Sequence, residues 1–397
     1  MDDSQIREIA RHDLDSISRL LFLKRMGGTA AVLSSSAVLL AACGSGSSKG
    51  SGDSGKVGGQ LTFVGVDGED AAAIAKPFLD KNGVKLKSTY VADNDTMLTK
   101  LRTGGTKQFD VMTINKDFAP REIELKFVRP LDVDKLSHFS ELFAGLQAAP
   151  WIKSGGKTLG YPLIWGSEPC VYNPAKFKGV PPKYTDFADK KYAGALTTID
   201  EPYGNQWLVA KSLRLGDNGD YNRLTQAQLD KVRDAWIEIK KNVVSMSAAF
   251  GDQTDLLVRG EASIALNSWQ ALLAFAKPKG VELAFANPAD DGTYYWSDSY
   301  YLAIESPNTA TAYAYIDYMT APDANAKVAD SLQSGCTNAK SVALLAAGSI
   351  SKQYDYKIVE DKVGGDFIKS IIPPEAADGE IVGKQAWVKS WQEVKAS

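Results

Sequence analysis

The sequence predicts an α/β protein in which helices flank an open, mostly parallel sheet. Apolar runs of strand length alternate with helical stretches in the order β-α-β-α-β over residues 61–114, which is typical of parallel sheets. The chain has 397 residues, enough for two domains of ordinary size. No repeat with a period of 20–50 residues is evident, which argues against a solenoid.

Strands and helices of the first unit follow from local patterns. A helix predicted over residues 69–80 has acidic residues in its first turn, where the helix dipole favours negative charge. Asn82-Gly83 is a stop signal, and a second helix is expected from a cap at Asp95 to Gly104-Gly105. The predicted strands are residues 61–66, 84–91 and 109–114.

A second unit begins near residue 168. It contains strand-like residues 196–200, an amphipathic helix from about Thr225 to about Lys241, and strand-like residues 262–266. Thr225 is a suitable N-cap for that helix. In parallel sheets, ligands bind beyond the carboxyl ends of the strands. In the first unit those ends lead into residues 67–70 and 115–117, so polar side chains there are candidate binding groups.

Composition excludes several functional classes. The formal net charge is −3, which provides no electrostatic footprint for nucleic acid. The histidines are His12 and His138, and one histidine in the body leaves little room for histidine-based catalysis or metal sites. Three cysteines cannot build a structural zinc site. We therefore expect no metal, no cofactor and no nucleic-acid partner.

The first 42 residues are predicted to be a signal peptide. Basic Lys24-Arg25 precede the weakly apolar run 26–42, and Cys43 follows directly. The sequence Leu40-Ala41-Ala42-Cys43 resembles the lipobox of bacterial lipoproteins, which implies lipidation of Cys43. Residues 43–59 are rich in Gly and Ser and are predicted to be a flexible tether. No apolar stretch long enough to span a membrane follows residue 43.

Two export routes stay open. The run Ser18-Arg19-Leu20-Leu21-Phe22-Leu23-Lys24 resembles a twin-arginine signal. Leu20 stands where that signal has its second, defining arginine. The sequence therefore does not distinguish general secretion from twin-arginine export.

Several blocks of the body resemble the spermidine/putrescine-type periplasmic binding proteins of ABC importers. They occur in the order and at the spacing of that family, across most of residues 60–395. The blocks are residues 93–101, 109–111, 161–166, 184–194 and 296–299.

The resemblance implies the type II-like two-lobed periplasmic-binding-protein fold, with crossing strands and a cleft that closes on a small solute. Its implied partners are that solute and an ABC permease, and a monomer held outside the cytoplasm by its N-terminal lipid is expected. An enzymatic activity is not expected. The implied lobes are residues 60–165 with 298–338, and residues 168–295 with 342–397.

Ligand-binding residues are carried over position by position. Trp296 and Asp298 match the family's binding W-x-D positions, and Trp269 lies one residue from another cleft tryptophan. Asp200 or its neighbour Glu201 is expected to supply a carboxylate after a strand of the second lobe. A protonated amine needs such carboxylates and aromatic faces.

The first-lobe side of the cleft departs from the family. Its aromatic clamp is replaced by residues 65–69, where Asp67 and Glu69 are acidic, and the family's Ser and Tyr after the third strand fall on Asn115 and Asp117. The added acids favour a cationic ligand, although solvated loop carboxylates are an equal alternative. Spermidine specificity does not follow from the resemblance.

Two cysteines are expected near the lobe crossings. In the implied fold, Cys170 and Cys336 lie close to the crossings, and outside the cytoplasm they could form a disulfide. Burial as small hydrophobic side chains is the alternative.

Alternative functions are also open. The same fold could bind another metabolite, such as an amino acid derivative or an opine, or could sense a ligand for a membrane receptor. An extracytoplasmic hydrolase using paired carboxylates is a further alternative. No G-x-S-x-G nucleophile elbow between a predicted strand and helix and no H-E-x-x-H zinc helix supports it.

Overall fold

Two main β-sheets organise the part of the chain that the computed structural model describes, residues 55–91, 94–216, 219–360 and 365–397. The predicted signal peptide, the lipidation site Cys43 and the tether up to residue 54 lie outside these ranges. The described residues all belong to one compact unit. None of the helices in these ranges is long and apolar enough to span a bilayer.

The elements are numbered in chain order. The strands are β1 Gly59–Gly65, β2 Val84–Tyr90, β3 Val111–Asn115, β4 Lys153–Ser154, β5 Lys157–Thr158, β6 Gly160–Ser167, β7 Cys170–Tyr172, β8 Leu196–Ile199, β9 Val243–Ser247, β10 Ile264–Leu266, β11 Ala284–Ala286, β12 Tyr295–Leu302 and β13 Gly335–Cys336. The α-helices are α1 Ala72–Asn82, α2 Asn94–Arg102, α3 Ala119–Glu124, α4 Ala144–Gln147, α5 Pro202–Ser212, α6 Gln226–Lys240, α7 Phe250–Arg259, α8 Leu272–Ala276, α9 Thr309–Thr320, α10 Pro322–Ser331, α11 Asp366–Lys369 and α12 Lys384–Ala396. Short 3-10 helices cover Gly105–Lys107, Val133–Lys135, Phe139–Glu141, Pro150–Ile152, Tyr184–Ala188, Lys190–Tyr192, Lys277–Lys279, Ala339–Leu344, Ser351–Gln353 and Tyr356–Val359.

The first sheet has six strands in the order β13-β6-β12-β3-β1-β2. β1 pairs in parallel with both β2 and β3, as predicted. β12 is antiparallel to both β3 and β6, and β13 is antiparallel to β6. The sheet is therefore mixed and not mostly parallel, because β12 returns from the second sheet and runs against β3.

The second sheet has five strands in the order β11-β7-β10-β8-β9. β8 is parallel to β9 and β10, whereas β7 is antiparallel to β10 and β11. Helices α5, α6 and α12 pack together over buried Trp207, Trp236, Trp387 and Trp391. These large apolar side chains form the core that supports this sheet.

Local sequence signals explain the helix ends. Thr225 caps α6 in a capping box with Gln228, which confirms the predicted N-cap. Gly83 ends α1 in the left-handed conformation (φ 60°) that glycine adopts without strain. α2 begins at Asn94, one residue before the cap predicted at Asp95.

The start of α1 differs from the prediction. The helix begins at Ala72, so Glu69 and Asp70 precede it instead of occupying its first turn. Both acidic residues are buried. Asp70 accepts hydrogen bonds from Ser88 and from the Tyr90 hydroxyl (2.8 Å). These two hydrogen bonds from β2 hold the Asp70 carboxylate in the interior of the fold. An interaction with the helix dipole alone would leave the carboxylate exposed.

The two sheets are connected twice by adjacent strands. Two residues separate Ser167, the last residue of β6, from β7 in the second sheet, and β11 leads back to β12. After β13, Tyr354 and Phe367 pack against Trp165 in the core of the first sheet. Helix α12 then packs in the core of the second sheet.

The possible disulfide between Cys170 and Cys336 is not formed. Both thiols are free and buried, on different sheets. The Sγ of Cys170 lies 3.6 Å from the Tyr184 hydroxyl, and the Sγ of Cys336 lies 3.4 Å from the Tyr356 hydroxyl. Each cysteine therefore acts as a small buried side chain with its own tyrosine partner, the alternative that the sequence left open.

Candidate functional site

Acidic side chains converge at the carboxyl ends of β1 and β3. Glu69 follows β1, Asn115 ends β3, and Asp298 on β12 is the register partner of Asn115. The Asn115 side-chain amide donates to Asp298 Oδ1 at 2.9 Å. Glu69 is hydrogen-bonded to Thr113 and to Asp298. We call Glu69 and Asp298 the first carboxyl pair.

The two carboxyl groups of the first pair retain a proton to a higher pH than an isolated carboxyl group would. Burial and then the neighbouring charge of Asp298 raise the pKa of Glu69 well above its usual range. Burial raises the pKa of Asp298 to about 6, although its bonds from Asn115 and Glu69 work in the opposite direction. Two buried carboxyl groups in contact cannot both ionise at low cost, which favours retention of a proton by the pair.

A buried lysine lies next to this pair. Lys116 is 1% exposed, and its Nζ lies 3.2 Å from Oδ1 of Asp117. The ammonium also lies over the rings of Tyr294 (5.2 Å to the centroid) and Trp151 (5.8 Å). Tyr294 donates its hydroxyl hydrogen to Asp117 Oδ2 at 2.8 Å. Lys116 and Asp117 form what we call the central ion pair.

The second sheet contributes another acidic pair. Glu201 follows β8 and caps α5, where its side chain accepts from the backbone N–H groups of Tyr203 (2.7 Å) and Gly204 (2.6 Å). A Cβ on Gly204 would lie 2.9 Å from Glu168 Oε2, 3.1 Å from Glu201 Oε2 and 3.2 Å from Asn267 Nδ2. These three side chains therefore meet at Gly204. We call Glu168 and Glu201 the second carboxyl pair.

Polar atoms of this second pair are incompletely bonded. In the described part of the chain, Glu168 Oε2 and both side-chain polar atoms of Asn267 are buried without a hydrogen-bond partner. Burial and then Glu201 raise the pKa of Glu168 well above its usual range. Burial also raises the pKa of Glu201 to about 7, against the N–H bonds of α5. Such unpaired buried groups are costly and indicate a binding surface.

The two carboxyl pairs and the central ion pair form one cluster. Asp117 acts electrostatically on Glu168, Glu201 and Asp298. Within the described residues, the cluster contains the carboxyl groups of Glu69, Asp117, Glu168, Glu201 and Asp298 and a single cation, the ammonium of Lys116. No group of three metal-binding side chains suited to an ion is present among the described residues. The chemistry that fits this excess of buried acid is the binding of ammonium groups.

Four of the predicted site residues come together in this cluster. They are Glu69, Asn115, Asp117 and Asp298. Trp296 lies two residues before Asp298 on β12, and its indole covers Gly166 of β6. Because alternate residues of a strand share a face, Trp296 lies on the same face as Asp298.

The other three predicted residues lie in different surroundings. Asp67 is exposed beyond β1. Trp269 packs between Phe250 and Phe275 in a small core beside the second sheet. Asp200 accepts from Trp391 Nε1 at 2.8 Å and pairs with Lys395 of α12. Its neighbour Glu201, the alternative at this position, is the one that faces the cluster.

The sequence patterns did not predict Lys116, Glu168, Asn267 or Tyr294 as site residues. Lys116 lies in the loop that the strand pattern located, but its burial depends on Trp151 and Tyr294 from distant segments. Glu168 directly follows the β6 strand, and Asn267 directly follows β10. Their position directly after a strand was the signal that the sequence offered. The strand order that brings these strand ends together could not be predicted from the sequence.

Comparisons with known proteins agree with this architecture. Residues 73–357 match the family model of bacterial extracellular solute-binding proteins. A curated relative, the spermidine/putrescine-binding periplasmic protein of Escherichia coli (strain K12), is 22% identical over 264 residues, which cover 65% of this chain and 72% of the relative.

Solved structures share the fold at low sequence identity. The Tp0655 (TpPotD) lipoprotein of Treponema pallidum superposes with a TM-score of 0.70 at 15% identity, covering 84% of this chain and 99% of the other. The spermidine/putrescine ABC transporter substrate-binding protein PotD from Streptococcus pneumoniae gives a TM-score of 0.69 at 17% identity, covering 85% and 97%. The described chain thus has the two-lobed fold of periplasmic binding proteins.

Proposed function

We propose, from the premise that the chain belongs to the bacterial extracellular solute-binding protein family, that it is the substrate-binding component of an ABC importer for a small amine. Putrescine and spermidine are named for relatives such as that of Escherichia coli. The chain captures its solute between the two sheets and delivers it to a membrane permease. Its role is binding, and no chemical conversion of the solute is included in the proposal.

The excess of carboxyl groups over cations in the cluster carries the proposal. The cluster contains five acidic side chains and one lysine ammonium, and four of the five carboxyl groups have raised pKa values because burial penalises their charge. A ligand that supplies positive charge to the two carboxyl pairs would compensate this penalty. A purely anionic ligand would increase the penalty.

The arrangement of the cluster supports capture by closure. The first carboxyl pair belongs to the first sheet, whereas Glu201 and Asn267 follow strands of the second sheet. A solute held by both pairs would therefore hold the sheets together. We propose hinge motion at the connections β6–β7 and β11–β12, between a lobe of residues 60–165 with 298–338 and a lobe of residues 168–295 with helix α12. The sequence placed all of residues 342–397 in the second lobe, but Tyr354 and Phe367 contact Trp165 and belong with the first.

Attachment to a membrane completes the proposed function. Lipidation at Cys43 would hold a monomeric body beside its permease through the tether of residues 43–59. This part of the proposal rests on the lipobox-like sequence alone.

A thermal-shift screen of the purified chain tests the ligand class. Putrescine, spermidine, amino acids and opines are each added far above their expected dissociation constants. A ligand at about a hundredfold excess over its dissociation constant adds about 2.7 kcal/mol to the free energy of unfolding. We expect a shift with at least one amine. A shift with an anionic or neutral compound and none with any amine would contradict the proposal.

Substitution of the first carboxyl pair localises the binding. Asp298→Asn removes the charge that faces the ligand, so we expect amine affinity to fall by about tenfold to a hundredfold. The control is Asp317→Asn, because the Asp317 carboxylate is partly exposed and bonds to Ser137, outside the cluster. Equal affinity in both variants, measured by calorimetry, would remove Asp298 from the site.

A further inference from the structure

Lys116 occupies a cation position inside the candidate binding cluster. Its side chain is fully buried, and its ammonium is held by Asp117 at 3.2 Å and by the faces of two aromatic rings. Burial lowers the pKa of Lys116, but the charges of Asp117, Glu168 and Asp298 oppose that effect. The contact with the Asp117 carboxylate at 3.2 Å favours the charged form of the Lys116 ammonium.

The central ion pair leaves only two acidic positions for a ligand. Asp117 acts electrostatically on carboxyl groups of both pairs. Its own Oδ1 already accepts from Lys116 and from the backbone N–H of Ile372 (3.3 Å), and its Oδ2 accepts from Tyr294. The first and second carboxyl pairs therefore remain as the places where ligand ammonium groups can be neutralised.

We propose that Lys116 is a built-in cation that restricts the ligand to two ammonium groups, which makes the preferred solute class a diamine. This inference rests on the proposed function and specifies the ligand of the same site. The terminal ammonium groups of a diamine are neutralised by the two carboxyl pairs. The central ammonium of a triamine meets the charge of Lys116 and finds the carboxylate of Asp117 already paired, and such like-charge contacts oppose binding.

Two ligands of equal length distinguish the effect of a central ammonium charge from the effect of ligand size. Spermidine has eight backbone atoms between its terminal nitrogens, and 1,8-diaminooctane has the same number, with a methylene in place of the central amine. We expect the wild-type chain to bind 1,8-diaminooctane at least about tenfold more tightly than spermidine, as measured by isothermal titration calorimetry. Tighter binding of spermidine by the wild-type chain would overturn the inference without any variant.

The variant Lys116→Met tests the residue itself. It removes the charge and leaves the Asp117 carboxylate available to a central ammonium, so the affinity for spermidine relative to 1,8-diaminooctane should rise at least about tenfold. Lys211→Met is the matched control, because Lys211 is also buried (5% exposed) and paired, with Asp366, and also lies over an aromatic ring, that of Trp207. Its affinity ratio should equal that of the wild type.

The outcomes distinguish this inference from the proposed function. If Lys116→Met binds amines with the wild-type ratio, the role of Lys116 is wrong while the binding of amines stands. If neither the wild-type chain nor Lys116→Met binds putrescine or either long amine, both proposals are wrong. A ratio that changes equally in Lys211→Met would assign the effect to general loosening of the fold, which also overturns the inference.

Discussion

Glu168 illustrates how a fold can hold a single side chain in an energetically unfavourable state that serves ligand binding. In the described part of the chain, its Oε2 is buried without a hydrogen-bond partner, and burial and Glu201 raise its pKa. A buried polar atom without a partner lowers the stability of the fold. Residues of this kind persist where a ligand restores the missing interaction.

The stability of the ligand-free chain should therefore depend on the charge of Glu168. Because its pKa is raised on folding, the folded state binds more protons than the unfolded state above about pH 4.5, and stability falls as pH rises. Glu168→Gln keeps the neutral shape, so we expect a smaller loss of stability between pH 5 and pH 8. The largest difference for one group is about 1.4 kcal/mol per pH unit. Urea unfolding at several pH values measures it.

A surface glutamate provides the control for this titration. The pKa of Glu261 is lowered by its bond from Arg259, so its charge does not change between pH 5 and pH 8. Glu261→Gln should leave the pH dependence of stability as it is in the wild type. An identical pH slope in Glu168→Gln would show that the carboxyl group is ionised in the folded state at pH 5.

At the scale of elements, β12 joins the site to the fold. It is hydrogen-bonded between β3 and β6, where it pairs Asp298 with Asn115 and Trp296 with Gly166. The register places Asp298 beside the carboxyl end of β3. A Cβ on Gly166 would lie 2.3 Å from Cζ2 of Trp296, so only glycine leaves room for the indole.

We expect Gly166→Ala to displace Trp296. Forcing extra volume into a packed contact costs about 1–3 kcal/mol, and the movement should also lower amine affinity because Trp296 and Asp298 share a strand face. Chemical unfolding and calorimetry measure the two effects. In the control Gly251→Ala, the added Cβ at the start of α7 meets nothing within 4 Å. That variant should be as stable as the wild type or slightly more so.

If Gly166→Ala matches Gly251→Ala in both measurements, Trp296 is not held by this contact. The prediction depends on the fixed register of β12 against β6, since a strand that shifted by one residue would move the indole to the opposite face.

At the scale of the whole molecule, binding should be linked to proton release. The site combines groups from both sheets, and burial raises the pKa of Asp298 to about 6 and of Glu201 to about 7. An ammonium ligand interacts best with the ionised carboxylates, so its binding displaces protons from them. Affinity for an amine should therefore rise between pH 5 and pH 8, by roughly tenfold or more.

Calorimetry at pH 6 in two buffers with different ionisation enthalpies counts the protons released. We expect release of a fraction of a proton to about one proton per ligand bound. Binding that takes up protons, or affinity that falls as pH rises, would contradict a cationic ligand. The variant Asp298→Asn should release fewer protons than the wild type.

Much of the fold could be predicted from local patterns. The strands at residues 61–66, 84–91 and 109–114 and the capped helix from Thr225 occur close to their predicted bounds. These elements are determined by periodicity and capping within short segments. The strand order of the sheet was predicted less well, because β12 inserts antiparallel beside β3 and its Asp298 lies 183 positions after Asn115.

The candidate site divides in the same way. By itself, the sequence determined the family blocks and the acidic residues after strands, among them Glu69, Asp117 and Asp298. Only the tertiary structure decided that Lys116 is buried among them and that Asp200 turns towards Lys395 while Glu201 faces the cluster. Strand and helix patterns are local, whereas burial and charge pairing depend on segments that meet only after the chain has folded.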